Sequence, residues 1–297
     1  MPLEIHAHAQ RGNFSPLITV GMVLLTFVYC HGWLRIRSAF PTLLPFWRLA
    51  GFVSGLVSLW IALGSPLAAL DHQLLTVHMM RHLLLMTAGA PLILLGAPSL
   101  PLQCGLPNYL MRRSLLFSSR IPPLLGCFLN NSAFCWLAGA AAIIAWHVPA
   151  LFNLAMSSHT WHIVEDTCFL SAGLLFWRPI VRQWSTHAKP PQWSMPLYLF
   201  LATLPCDFLS AFLTLCDRVV YPSYVSAGRV FELSPLQDQA YAGALMWVFV
   251  TFAYLIPAVV ITLQILAPGG ADRQRKALGV LSRLPVVEVG GAEMAIL

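Results

Sequence analysis

Seven stretches of this chain, 15–34, 44–64, 73–95, 132–156, 159–180, 196–216 and 240–266, run for twenty residues or more with few charges inside them. A bilayer hydrocarbon core about 30 Å thick is crossed by roughly 20 helical residues at 1.5 Å rise each. The runs therefore predict an all-α, polytopic membrane bundle of about seven transmembrane helices. Composition agrees: 58% of the 297 residues are hydrophobic and 9% are charged, against roughly 25% charged in a soluble domain. The net charge of +6 comes from basic residues scattered between apolar runs, so nucleic acid is not an expected partner. Seven cysteines without a CxxC suggest neither a disulfide framework nor a thiolate zinc site. The expected organisation is an outer amino-terminal arm (1–14), a seven-span domain (15–266) and a cytoplasmic tail (267–297). The first run is expected to be a retained span, because no cleavable signal pattern precedes it.

The few charges also orient the bundle, since cytoplasmic loops hold an excess of Lys and Arg. One set of loops carries Arg35, Arg37, Arg112, Arg113, Arg120, Arg178, Arg182, Lys189, Arg273, Arg275, Lys276 and Arg283. The opposite set carries only Arg11, Arg218 and Arg229. This asymmetry predicts the amino terminus outside and the carboxyl terminus in the cytoplasm. Arg48 and Arg81 fall inside spans, where they are expected to pair with carboxylates or snorkel. Asp207, beside Pro205 and Cys206 in the sixth run, is a candidate partner for Arg48. Trp33, Trp60 and Trp193 near span ends read as interfacial anchors. The long connection from Pro98 to Asn131 is expected to hold a short interfacial helix around Met111-Arg112-Arg113.

Six of the ten histidines, at positions 72, 78, 82, 147, 159 and 162, fall at the outer end of this arrangement. His78 and His82 stand at i and i+4 on one helix face, with Met86 continuing the stripe. His159, His162 and Asp166 share a face at i, i+3 and i+7, with Glu165 one step around. Pro149 follows His147 closely, and a kink there aims the imidazole inward. Imidazole with carboxylate or thioether suits copper, zinc or iron. The candidate metal ligands are His78, His82, His147, His162 and Asp166. Glu165, His159, Asp238 and Met86 are the supporting groups, and no catalytic residue is assigned. The plainer alternative is that each histidine only hydrogen-bonds a neighbouring helix. Met79, Met80 and Met246 read as packing residues.

Several segments in order resemble the Bacillus-type CtaG family of cytochrome c oxidase (caa-type) assembly factors. They are His78-Met-Met-Arg-His82-Leu-Leu-Leu-Met86 leading to Pro91 and Gly96-Ala97-Pro98; Trp146-His147-Val148-Pro149; His162-Ile-Val-Glu165; Ala172 to Trp177; and Asp238-Gln239 through Gly243 to Met246-Trp247. Together they cover about residues 70–260. The resemblance implies a multi-pass protein of the bacterial inner membrane that helps mature a haem–copper oxidase, with copper as its metal. Haem–copper oxidase subunits or a copper chaperone are the implied partners, besides membrane lipid. His78, His82, His147 and His162 occupy family histidine positions, and Asp238 and Gln239 the family pair before the last span. This chain departs at Asp166, where the family pattern usually has His, and at Arg178, where a second Trp is usual.

Three other readings compete. A di-iron oxygenase would also use histidine boxes, but it needs His-His pairs that this chain lacks and a site on the cytoplasmic side. Haem could be held by imidazoles from two helices. A transporter would need polar groups through the inner half as well.

Overall fold

Each of the seven apolar runs forms helix in the computed structural model, which describes residues 16–39, 44–107, 109–110, 123–186, 193–226, 232–266, 287–289 and 292–294. The helices are α1 (Pro16–Ala39), α2 (Phe46–Leu63), α3 (Leu75–Leu83), α4 (Ala90–Leu95), α5 (Ser99–Gly105), α6 (Pro123–Asn130), α7 (Ser132–His147), α8 (Pro149–Ser157), α9 (His159–Thr186), α10 (Ser194–Leu215) and α11 (Pro235–Leu266). A short antiparallel pairing of Val287–Val289 with Ala292–Met294 stands apart from them. Among the described residues, five helical segments are long and apolar enough to cross a membrane, or six if the bent pair α7–α8 counts as one span. That is fewer than the seven expected. The difference is α9, which at 28 residues is long enough but carries Glu165, Asp166, Arg178 and Arg182. The amino-terminal arm, residues 111–122 with the expected interfacial helix, and most of the tail lie outside the described residues.

Two spans are broken, and both breaks have a sequence cause. The third run is α3, then a π-helical turn over Leu84–Gly89, then α4. Pro91, at the start of α4, has no N–H to return to the preceding turn. Two carbonyls in the π turn instead accept side-chain donors. Ser58 Oγ bonds Leu84 O at 3.0 Å, and Trp177 Nε1 bonds Met86 O at 3.0 Å. Such re-satisfaction is what allows a broken helix at membrane depth. Gly173 of α9 lets the Met86 backbone approach closely: a Cβ there would lie 2.8 Å from Met86 Cα. In the fourth run, Val148 is extended (φ −66°, ψ 126°), as a residue before proline prefers. The chain turns by 74° between α7 and α8.

The bundle packs α10 against α11, α7 against α9, and α11 against α3, while α9 also lies along the π turn and α4. The seventh run starts earlier than expected, at Pro235 rather than 240. Ser234 and Gln237 form a reciprocal capping box there, with Gln237 N–H donating to Ser234 Oγ at 3.2 Å and Ser234 N–H to Gln237 Oε1 at 3.0 Å. Asp238 and Gln239 are therefore inside the last helix, not before it. Trp33 is buried rather than interfacial, whereas Trp193 is exposed. Arg48 and Asp207 form no ion pair with each other, and each keeps a buried atom without a hydrogen-bond partner.

Candidate metal centre

The site lies where α3, the end of α7, α8 and the start of α9 meet, and its histidine helix is held from a distance. Leu74 has no side chain able to cap α3. Asp238 of α11 does so instead, accepting from the N–H groups of Leu75 (2.5 Å) and Thr76 (3.1 Å) and from Thr76 Oγ1 (2.6 Å). A carboxylate there satisfies orphan donors and complements the helix dipole. Gln239 ties the loop after α10 to the same place, accepting from Val220 N–H at 2.8 Å and donating to Arg218 O at 3.0 Å. From that loop Tyr224 OH donates to Asp71 O at 2.8 Å and Tyr221 OH to His147 O at 3.0 Å. Burial, and in Tyr224 the nearby carboxylate of Asp71, pushes both phenols far up, so they remain donors.

Glu165 is the centre of the constellation. Its Oε1 lies 3.7 Å from His78 Nε2 and 3.6 Å from His82 Nε2, and its Oε2 lies 3.8 Å from His162 Nε2. His162 Nε2 is also 3.5 Å from Asp71 Oδ2. All of these separations exceed a normal hydrogen bond. Both ring nitrogens of His78 and His82, Nε2 of His162 and both Glu165 oxygens are buried without hydrogen-bond partners. His78 and Glu165 side chains are 0% exposed. Buried polar groups are nearly always paired, so these unpaired atoms, five of which (the three Nε2 atoms and the two Glu165 oxygens) face one another, need an account. A first-row metal ion at about 2.0–2.2 Å from nitrogen and oxygen ligands puts neighbouring ligand atoms on the order of 3.0–3.5 Å apart. Among the described residues two overlapping donor sets, His78, His82 and Glu165, and Asp71, His78 and His162, bring their ligand atoms within 4.8 Å of one another, a looser spacing than that of a bound ion's shell.

Ring packing, not outer hydrogen bonds, fixes the imidazoles. His82 stacks on Phe169 with centroids 4.0 Å apart, His78 meets Phe152 edge-on at 5.0 Å, and His78 and His162 lie parallel at 5.7 Å. Phe152 is itself stacked on Tyr221 at 3.9 Å, which closes the site against the loop. His72, 39% exposed, stands edge-on to His162 at 5.2 Å and marks the open rim.

The remaining predicted residues are placed differently. Asp166, expected among the ligands, is held by Arg81: Nε donates to Oδ1 at 2.9 Å and Nη2 to Oδ2. Arg81 Nη1 pairs with Asp71. One step of about 100° around α9 separates Glu165 from Asp166, and that step turns Asp166 to Arg81 and Glu165 to the imidazoles. His147 lies outside both donor sets, with Nδ1 bonded to Ile143 O at 2.7 Å and Nε2 3.2 Å from Met79 Sδ. Met86 lies in the π turn beyond His82, and His159 is exposed at the start of α9. Asp71 was missed, although a charge inside a span such as Arg81 calls for a counter-charge and Asp71 precedes it by ten residues.

No curated protein and no solved structure gives a significant match to this chain. Among protein families, residues 27–267, which include every group just described, match the one described as cytochrome c oxidase caa3 assembly factor, Caa3_CtaG. The chain belongs to that family of assembly factors.

Proposed function

We propose that this protein is a membrane assembly factor that binds a copper ion as cargo during maturation of a haem–copper oxidase. The observation that carries the reading is the set of seven buried, unpartnered donor atoms on His78, His82, His162 and Glu165. His78, His82 and Glu165 would hold the ion, with His162 and Asp71 as the adjoining donors toward the rim. Three imidazoles and one carboxylate suit copper, zinc or iron, and the family's link to an oxidase selects copper among them. Asp166 serves by holding Arg81, and Asp238 by capping α3. The role is binding rather than catalysis. Oxidase subunits or a copper chaperone would be the partners, in the bacterial inner membrane.

Twelve basic loop residues against three support an amino terminus outside and a carboxyl terminus inside, with α9 as a seventh crossing. In that orientation His72 and the open rim face the outer surface. The test is elemental analysis of the purified, copper-loaded protein. Substituting His78→Ala with His82→Ala should abolish stoichiometric metal while the protein still inserts. Unchanged metal content in that variant would overturn the assignment.

A further inference from the structure

One turn deeper than Glu165, the donor chemistry changes from nitrogen and oxygen to sulfur. A space of about 30 Å³ lies there, lined by His82, His147, Met79, Met86, Met246 and Cys206 among others. That volume exceeds the 10–15 Å³ or so that a single water needs. The rest of its wall is mainly apolar, with Phe169, Ile143 and Val250, and also includes Thr87 and Tyr254.

The contact between His147 and Met79 is chemically incomplete. His147 Nδ1 lies 2.7 Å from the Ile143 carbonyl. A carbonyl only accepts, so Nδ1 carries the hydrogen, and Nε2 of the neutral ring is left with a bare lone pair. That lone pair faces Met79 Sδ at 3.2 Å. A thioether has no hydrogen to donate. Two acceptors thus face each other in a buried place, His147 being 8% and Met79 1% exposed. Helix α7 is broken at the next residue, and Tyr221 holds the His147 carbonyl from outside, so the ring is fixed in this attitude.

We propose that this space is a second metal site, selective for a soft monovalent cation of the Cu(I) class, with His147 Nε2 and Met79 Sδ as its first two ligands. Met86, Met246 and Cys206 supply further sulfur. Thioether and thiolate donors select Cu(I) over the harder ions that suit the Glu165 cluster. Filling the space places a shared electrophile between two lone pairs that otherwise oppose one another. Binding needs no change of oxidation state. The site stands on its own observations and does not depend on the assignment at Glu165.

The test uses the full chain in lipid nanodiscs, titrated with Ag(I) and, under reducing conditions, with Cu(I) against a chromophoric Cu(I) chelator. Copper-edge X-ray absorption of the Cu(I)-loaded wild type should show sulfur together with nitrogen scatterers. Met79→Leu combined with Met246→Leu preserves side-chain volume and should weaken Ag(I) and Cu(I) binding at least about tenfold, the lower end of what losing even an outer-shell group costs a metal site. Divalent-ion binding at the Glu165 cluster should persist in that variant. Glu165→Gln should do the reverse, losing the divalent ion while retaining Ag(I). An absorption spectrum without sulfur overturns the proposal whatever the variants do. So does wild-type Ag(I) affinity in the double variant, or loss of Ag(I) in Glu165→Gln.

Discussion

Glu165 and Asp166 are neighbours in sequence, both buried in α9, and have opposite surroundings. On the Asp166 side every charge is answered: Arg81 is gripped by Asp166 and Asp71, and Asp71 lies under Tyr224. On the Glu165 side neither oxygen is hydrogen-bonded, and three imidazoles stand 3.6–3.8 Å away with their facing Nε2 atoms unpaired. The completed side is what a fold does with charge it must bury. The incomplete side is where the proposed ion would sit. The contrast separates structural from functional polarity within one helical turn, and substitutions can test it directly.

The largest effect is expected from Arg81→Met. It strands Asp71 and Asp166 in the interior, and removing one partner from a buried pair costs about 3–5 kcal/mol. Unfolding of the purified protein in detergent should register a loss of that order, and an unchanged midpoint would erase the distinction drawn here. Next comes Glu165→Gln, which should lower metal affinity by at least about 10–100-fold yet leave metal-free stability intact or raised. Asp166→Asn should show the opposite pattern, losing stability and keeping the metal. If competition titrations give the two variants the same profile, the two sides are not distinct. Asp238→Ala removes the cap of α3, on which both sides depend, and should cost about 1–2 kcal/mol with a smaller fall in metal affinity. The smallest effect is Tyr221→Phe, about 0.5–1.5 kcal/mol for one hydrogen bond, readable as a lower thermal midpoint.

Helix periodicity was enough to find the histidines. The spacing of His78 and His82, and of His162 relative to Glu165, places them on common faces whatever the rest of the bundle does. Depth matching also brought His147 to the right level. What periodicity could not supply was rotation about each axis. Asp166 read as a ligand and Glu165 as support because a carboxylate's role depends on which way its helix faces Arg81. His147 required the rotation of α7 about its axis, which puts its ring beside Ile143 O and Met79. Asp71 lay just outside the apolar runs, in the turn before α3. The capping of α3 by Asp238 spans 163 residues of sequence, and no local pattern announces it. Charge density also keeps α9 out of the count of apolar spans, since the groups that make it interesting are those that lower its apolarity.

The π turn at Leu84–Gly89 has a consequence for comparing this chain with others. A π turn accommodates one residue more than an α-helical path would, and one residue is about 100° of rotation. The span therefore carries a phase slip in its middle: the histidine half and the Pro91 half are each in register with their own neighbours but not with each other. A relative with the same number of residues there but a regular helix would align without a gap in sequence and still present a different face beyond the turn. Matching residues across that point by number alone would pair side chains that look in different directions.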